Sequence, residues 1–115
     1  MAKKYRLELD HVHCDRLQDT VGPDELQVIV DGTVLFGGNG GSRIERGQNV
    51  SLTGHSQLFT DDASVQLVEV DAGSNNDDLS TYKVVGATDV DQGVRHRTYT
   101  RNNAEYRLAY RVVAA

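Results

Sequence analysis

Cysteine is nearly absent from the sequence. The 115 residues contain only Cys14, so no internal disulfide can form, and the cysteine density of small secreted scaffolds is missing. A chain of this length can bury a two-layer core without a disulfide or a structural metal. The scarcity of cysteine therefore fits a single domain, residues 1–115, in a reducing compartment.

Long hydrophobic runs are also missing. No apolar stretch approaches the length that spans a bilayer, and the basic start of the chain, Lys3-Lys4-Tyr5-Arg6, is not followed by the apolar core of a signal peptide. We therefore expect a soluble, cytoplasmic protein. No window of a dozen residues carries an apolar stripe at helical spacing, so we also expect little helix.

Positive charge is scarce in one part of the chain and abundant in another. The formal net charge is -5, and the segment 61–91 holds eight acidic residues against one lysine. The last 22 residues reverse this balance, with five arginines against one glutamate. Because binding to phosphate backbones needs a large basic face, an acidic chain of this kind is a poor nucleic-acid binder. We expect no nucleic-acid partner.

What the sequence does have is apolar and polar alternation with a period of two, which is typical of half-buried strands. The alternating segments are Tyr5-Leu7-Leu9, Leu26-Val28-Val30, Val50-Leu52, Val65-Leu67, Tyr82-Val84 and Tyr106-Leu108-Tyr110-Val112. Turn formers separate them: Asp31-Gly32 and Asn102-Asn103 predict hairpins, and the glycine-rich segment 37–41 predicts a flexible loop. The pattern favours an all-β sandwich of seven or eight strands.

Two loops concentrate oxygen ligands. Asp19 and Asp24 precede the strand at 26–30, whereas Glu69, Asp71 and Asp77 follow the strand at 65–68. Calcium takes six to eight oxygens at about 2.3–2.6 Å, and acidic loops from different parts of a chain supply them. Glu69 and Asp71 share strand parity with Leu67, so both side chains leave the same face at the strand end, and the loop can bring Asp77 back toward them. Composition alone leaves an alternative open, since Asp, Asn, Gly and Ser are also preferred in ordinary solvated loops.

A family resemblance favours calcium. The run Val65-Gln66-Leu67-Val68-Glu69-Val70-Asp71, followed after five residues by Asp77, Leu79 and Ser80, resembles the third calcium loop of the C2 domain family. The run Asp19-x-x-Gly22-x-Asp24 before a strand is similar to an earlier calcium loop of that family. The chain departs from the family pattern at Glu69, where an Asp is usual, and at Ser80, where a Gly is usual.

The resemblance implies an eight-stranded antiparallel Greek-key β-sandwich of C2-like type. It implies calcium as the cofactor and a role in recruitment or protein interaction. The implied ligands are Asp19, Asp24, Glu69, Asp71 and Asp77. The basic strand with which many family members bind phosphoinositides has no counterpart, because the segment 28–36 contains no Lys or Arg. We therefore expect weak or no membrane binding.

Two other interpretations remain open. The run Asn76-Asp77-Asp78-Leu79-Ser80-Thr81 is similar to the calcium motif of the βγ-crystallin family, although it lacks the final Ser and a second copy. The second alternative is a structural or assembly β-sandwich whose acidic loops bind no metal. An EF-hand is excluded, because the loop after Asp71 has neither the required Gly nor the Glu at position 12.

Other motifs point to a site less strongly. His11 and His13 face one way on a strand and can share a metal, but a third ligand would have to come from His55, His96 or an acid. Cys14 has no evident base to activate it, so we predict no catalytic residue and no enzyme. Arg95, Arg97 and Tyr99 alternate on one strand face, which is able to bind an acidic lipid, a partner protein or a sugar acid. The simpler interpretation is a solvated strand face whose arginines balance the acidic loops.

Overall fold

The computed structural model describes residues 3–18, 23–70 and 76–115. These residues form ten strands and one short helix. The strands are β1 (Lys4–Arg16), β2 (Asp24–Val30), β3 (Thr33–Phe36), β4 (Ser42–Ile44), β5 (Asn49–Ser51), β6 (Ser56–Thr60), β7 (Asp62–Glu69), β8 (Asp77–Val85), β9 (Arg95–Arg101) and β10 (Ala104–Ala114). The helix α1 (Gly86–Asp89) lies between β8 and β9. The all-β prediction is confirmed.

The strands form two antiparallel sheets. In the first, β1 lies between β10 and an outer position shared by β5 and β6, and β9 is at the other edge. In the second, β2 lies between β7 and an outer position shared by β3 and β4, and β8 is at the other edge. The ten segments therefore occupy eight strand positions, which agrees with the predicted eight-stranded sandwich.

The core lies between the two sheets and follows the alternation in the sequence. Leu7 and Leu108 from the first sheet, and Val28 and Leu67 from the second, are fully buried. Burying one such side chain contributes about 1.5–3 kcal/mol to folding. Tyr99 crosses between the sheets, because its hydroxyl donates a hydrogen bond to the carbonyl of Val65 at 2.9 Å.

The two predicted hairpins are present. Asp31 and Gly32 turn β2 into β3 with φ values of 48° and 81°, and Asn102 and Asn103 turn β9 into β10 with φ values of 53° and 68°. Positive φ at both central residues matches the right-handed twist of the flanking strands, and Asn, Asp and Gly adopt it at low cost. These turns set the register of both hairpins.

The glycine-rich segment does more than provide flexibility. A Cβ at Gly37 would lie 2.3 Å from the carbonyl oxygen of Leu26, and one at Gly41 would lie 2.8 Å from the backbone of Glu25. The segment thus approaches β2 so closely that side chains at these two positions have no room. Glycine allows the chain to leave β3 and return as β4 against the same neighbour.

The helical part of the described structure is four residues long. No helix in residues 3–18, 23–70 and 76–115 is long and apolar enough to cross a membrane.

Candidate metal site

Three strand ends meet at one end of the second sheet. Leu26 near the start of β2 pairs with Glu69 at the end of β7, and Glu69 pairs in turn with Asp77 at the start of β8. We call this region the acidic end and define it by Asp24, Glu69 and Asp77. Antiparallel pairing places the acids there, because the end of one strand lies beside the start of the next.

The three acids share the inner face of the sheet. Asp24 has the parity of Leu26 and Glu69 has the parity of Leu67, and both carboxylate residues are completely buried. Asp77 lies directly opposite Glu69 in the register and is half-buried. Residues opposite one another in a sheet project from the same face. The register therefore places Asp77 on the same face as Glu69, for which strand parity predicts the face of Leu67.

The other two predicted ligands, Asp19 and Asp71, lie outside the described residues. Within the part of the chain that the structure describes, no three His, Cys, Asp or Glu side chains come close enough together to hold a metal ion. Asp24, Glu69 and Asp77 thus share a face and an end without completing a metal site by themselves. Their carboxylate oxygens are the ligand type that calcium prefers.

A buried tyrosine orients Asp24. The hydroxyl of Tyr106, at the start of β10, donates a hydrogen bond to the Asp24 carboxylate, and the backbone N–H of Gln18 donates to the same oxygen at 2.8 Å. Burial, followed by the bond to Asp24, raises the pKa of Tyr106 and keeps the hydroxyl protonated as a donor. This contact ties the two sheets together at the acidic end.

Asp78, the residue after Asp77, forms hydrogen bonds and an ion pair with neighbouring strands. Its carboxylate accepts hydrogen bonds from the Gln66 amide at 3.0 Å and from the Ser80 backbone N–H at 3.0 Å, and it pairs with Arg101 at 3.1 Å. The bond from Gln66, with smaller contributions from Ser80 and Arg101, lowers the pKa of Asp78. Asp78 therefore links β8 to β7 and β9, whereas Asp77 faces inward.

The face of β9 that carries Arg95, Arg97 and Tyr99 turns toward the second sheet and is not an open binding surface. The three residues do share one face of β9, but Tyr99 on that face is fully buried between the sheets. The Arg97 guanidinium lies 5.8 Å from the ring centre of Tyr82, and Arg95 pairs with the buried Asp89 at 3.5 Å. These arginines therefore cover the open edge between β8 and β9.

The histidine motif does not form the site that the sequence suggested. His11 and His13 both leave the outer face of β1, but each has its own acid: Asp10 lies 2.6 Å from His11, and Asp15 lies 3.5 Å from His13. Asp15 is also bound by Arg107, whose hydrogen bond lowers the pKa of that carboxyl.

Of the other residues considered for a metal or catalytic site, the side chains of His55 and Cys14 lie away from that of His11. His55 contacts the carbonyl of Leu35 in β3 at 2.8 Å. Cys14 is buried in the core, and its burial raises the pKa of the thiol, as expected for an unreactive cysteine. Of the candidates for a third metal ligand, His96 does lie near the histidine motif, because its ring is beside that of His11. Sequence spacing could not reveal this contact, because the two residues are on different strands.

Comparison with known proteins identifies the fold. No protein-family model matches the sequence, and a search of curated proteins returns no match. A solved structure described as "Structure of a C2 domain" matches 98% of this chain and 99% of its own, with a TM-score of 0.58 and 15% identity.

A second match is a human GIVD cytosolic phospholipase A2, solved in complex with methyl gamma-linolenyl fluorophosphonate. It covers all of this chain but only 17% of its own, with a TM-score of 0.58 and 9% identity. The present chain spans less than a fifth of that protein. Together with the two four-position sheets, these matches show that the chain has the fold of a C2 domain.

Proposed function

We propose that the protein is a calcium-binding module that acts in recruitment or protein interaction. The observation that supports this proposal is the placement of Asp24, Glu69 and Asp77 on one inner face at one end of a C2-type sandwich. The same three residues belong to the ligand set that the resemblance implies. The proposal adds Asp19 and Asp71 to complete the set.

The chemistry of these residues suits calcium. The ion takes six to eight oxygens, so five carboxylates with water or backbone carbonyls are enough to fill its coordination shell. Gathering several carboxylates at one end is unfavourable without a cation, since like charges repel. Calcium removes this repulsion when bound. Hydrogen bonds from the Tyr106 hydroxyl and the backbone N–H of Gln18 restrict the orientation of the Asp24 carboxylate.

A binding role is also what we propose in place of catalysis. Cys14 is buried and its thiol pKa is raised, and the arginines of β9 cover a sheet edge. The βγ-crystallin interpretation gains no support, because Asp78 in that motif is bound to Gln66, Ser80 and Arg101 within the sheet structure. A metal-free structural sandwich is the alternative that experiment must separate from the calcium module.

Calorimetric titration separates the two. The protein, first treated with chelator and then dialysed, is titrated with calcium and separately with magnesium. We expect heat of binding and saturation with calcium, and a weaker response with magnesium, which demands a stricter octahedral geometry. No binding of calcium at millimolar concentration would favour the metal-free sandwich.

Membrane binding is expected to be weak even with calcium present. Each exposed basic residue near an anionic bilayer contributes about 1 kcal/mol, but two of the arginines near this end are paired with acids: Arg101 with Asp78, and Arg107 with Asp15. We predict little sedimentation with phosphatidylserine vesicles at physiological salt. Strong sedimentation that requires calcium and disappears with chelator would contradict this and indicate a membrane-recruitment role.

A further inference from the structure

A pair of histidines lies on the outer face of the first sheet, away from the core. His11 of β1 and His96 of β9 flank Ala109 of β10 in one cross-strand row. Their ring centres are 6.0 Å apart, with the planes at 66°. Ala109 faces outward yet is completely buried, which we attribute to the two imidazoles that lean over its small side chain.

An irregularity in β1 supplies a carboxylate to this pair. Leu9 pairs with Tyr110 and His11 pairs with Ala109, so Asp10 is an extra residue in the ladder. Such a bulge allows two successive side chains to project on the same side of a strand. Asp10 and His11 both leave the outer face, and the Asp10 carboxylate lies 2.6 Å from Nδ1 of His11.

This contact determines how His11 can bind a ligand. A carboxylate only accepts hydrogen bonds, so Nδ1 of His11 is the donor, and Nε2 of the neutral ring carries the lone pair. Metal-binding histidines in proteins commonly donate the other ring N–H to a carboxylate, which sets the tautomer and makes the ligand more basic. Asp10 and His11 have this arrangement.

The spacing of the rings suits a shared metal ion. Two imidazoles bound to one tetrahedral zinc, with Zn–N distances of about 2.0–2.1 Å, have ring centres roughly 5 Å apart. The observed 6.0 Å is close to this value, and both side chains are on the surface, where small rotations are possible. Arg107 and Arg111 lie on either side of Ala109 in β10. Arg107 pairs with Asp15 and Arg111 pairs with Glu8, so these acids offset the positive charge next to the two histidines.

We propose that His11 and His96 bind a divalent transition-metal cation such as Zn²⁺, with Asp10 as the residue that positions His11. Imidazole nitrogens favour zinc, copper and nickel over calcium and magnesium, so this site differs in chemistry from the acidic end. Two protein ligands leave the remaining coordination positions to water or to a ligand from another molecule. The site is independent of the calcium proposal.

The test is a titration of chelator-treated protein with Zn²⁺ by calorimetry. We expect one site per chain, and a loss of affinity of at least about tenfold in His11→Ala and in His96→Ala. Asp10→Asn should weaken binding by about 10-fold or more, as removal of such supporting carboxylates does elsewhere. His13→Ala is the matched control, because His13 is the next outward histidine on β1 but pairs with Asp15.

A second readout identifies the ligands directly. Imidazole resonances in an NMR spectrum should shift on addition of Zn²⁺ for two of the four histidines, and these should be the two lost in the His11 and His96 variants. Asp77→Asn should leave zinc binding unchanged. The proposal is overturned if Zn²⁺ does not bind, if His96→Ala binds it as well as the unmodified protein does, or if His13→Ala or Asp77→Asn removes the binding.

Discussion

Calcium at a hundredfold excess over its dissociation constant is expected to raise the free energy of unfolding by about 2.7 kcal/mol. A ligand that binds only the folded state stabilises it by mass action. Relief of repulsion among the carboxylates of the acidic end contributes to the affinity for calcium. In a domain of this size the gain corresponds to a rise in melting temperature of roughly 10 °C. Thermal unfolding followed by circular dichroism, in calcium and in chelator, measures the shift.

Controls distinguish a specific site from a general salt effect. Sodium chloride at matched ionic strength should not reproduce the calcium shift, and His11→Ala should retain it, because His11 lies on the outer face of the first sheet. A melting temperature that is the same in millimolar calcium, in magnesium and in chelator would mean that the acidic end does not bind metal.

Gly86→Ala is expected to lower the free energy of unfolding by about 3 kcal/mol, at the upper end of the usual cost of overpacking a core. A Cβ at this position would lie 2.3 Å from the ring of Tyr5. Tyr5 is only 6% exposed, and its ring stacks on Phe59 with 5.5 Å between the ring centres, so the ring has little room to move. Urea denaturation measures the loss of stability.

Gly40→Ala is the matched control for this substitution. Gly40 is exposed, and a Cβ there would meet nothing within 4 Å, so the variant should be as stable as the unmodified protein. Equal stability of the two variants would show that Tyr5 does not pack on Gly86 as described. Gly86 is not part of the acidic end, so calcium affinity of folded Gly86→Ala should not change.

Local patterns were sufficient to predict both hairpins and most of the strands, but not β4 and β6. The alternation at Leu26, Val28 and Val30 encodes which face of β2 is buried, because side chains alternate between the faces of any strand. Asp31-Gly32 encodes its own turn through the positive φ that these residues adopt. The same parity argument predicts the face of Leu67 for Glu69 without any information on the partner strand.

Features that depend on the partner strand could not be predicted from local patterns. Parity puts Arg97 and Tyr99 on one face of β9, but only the packing of β9 on β8 reveals that this face is turned inward. Asp77 and Asp78 are adjacent and chemically identical, and the register alone assigns one to the interior and the other to Arg101.

The histidine pair illustrates the same limit. His96 is 85 positions from His11 in the chain, so nothing in their spacing places the two rings side by side. Their contact follows from two strand pairings through β10 and from the extra residue in β1. Sequence spacing instead favoured His13, which shares a strand face with His11 but pairs with a different acid.

The adjacent acids of β8 offer the most direct test of the calcium proposal. Asp77→Asn and Asp78→Asn remove the same charge one residue apart, but Asp77 faces the acidic end and Asp78 is bound to Gln66 and Arg101. Calorimetric titration with calcium should show affinity reduced at least about tenfold, or 1.4 kcal/mol, in Asp77→Asn and close to the unmodified value in Asp78→Asn. Equal calcium affinity in Asp77→Asn and the unmodified protein, or a loss confined to Asp78→Asn, would contradict the proposed site.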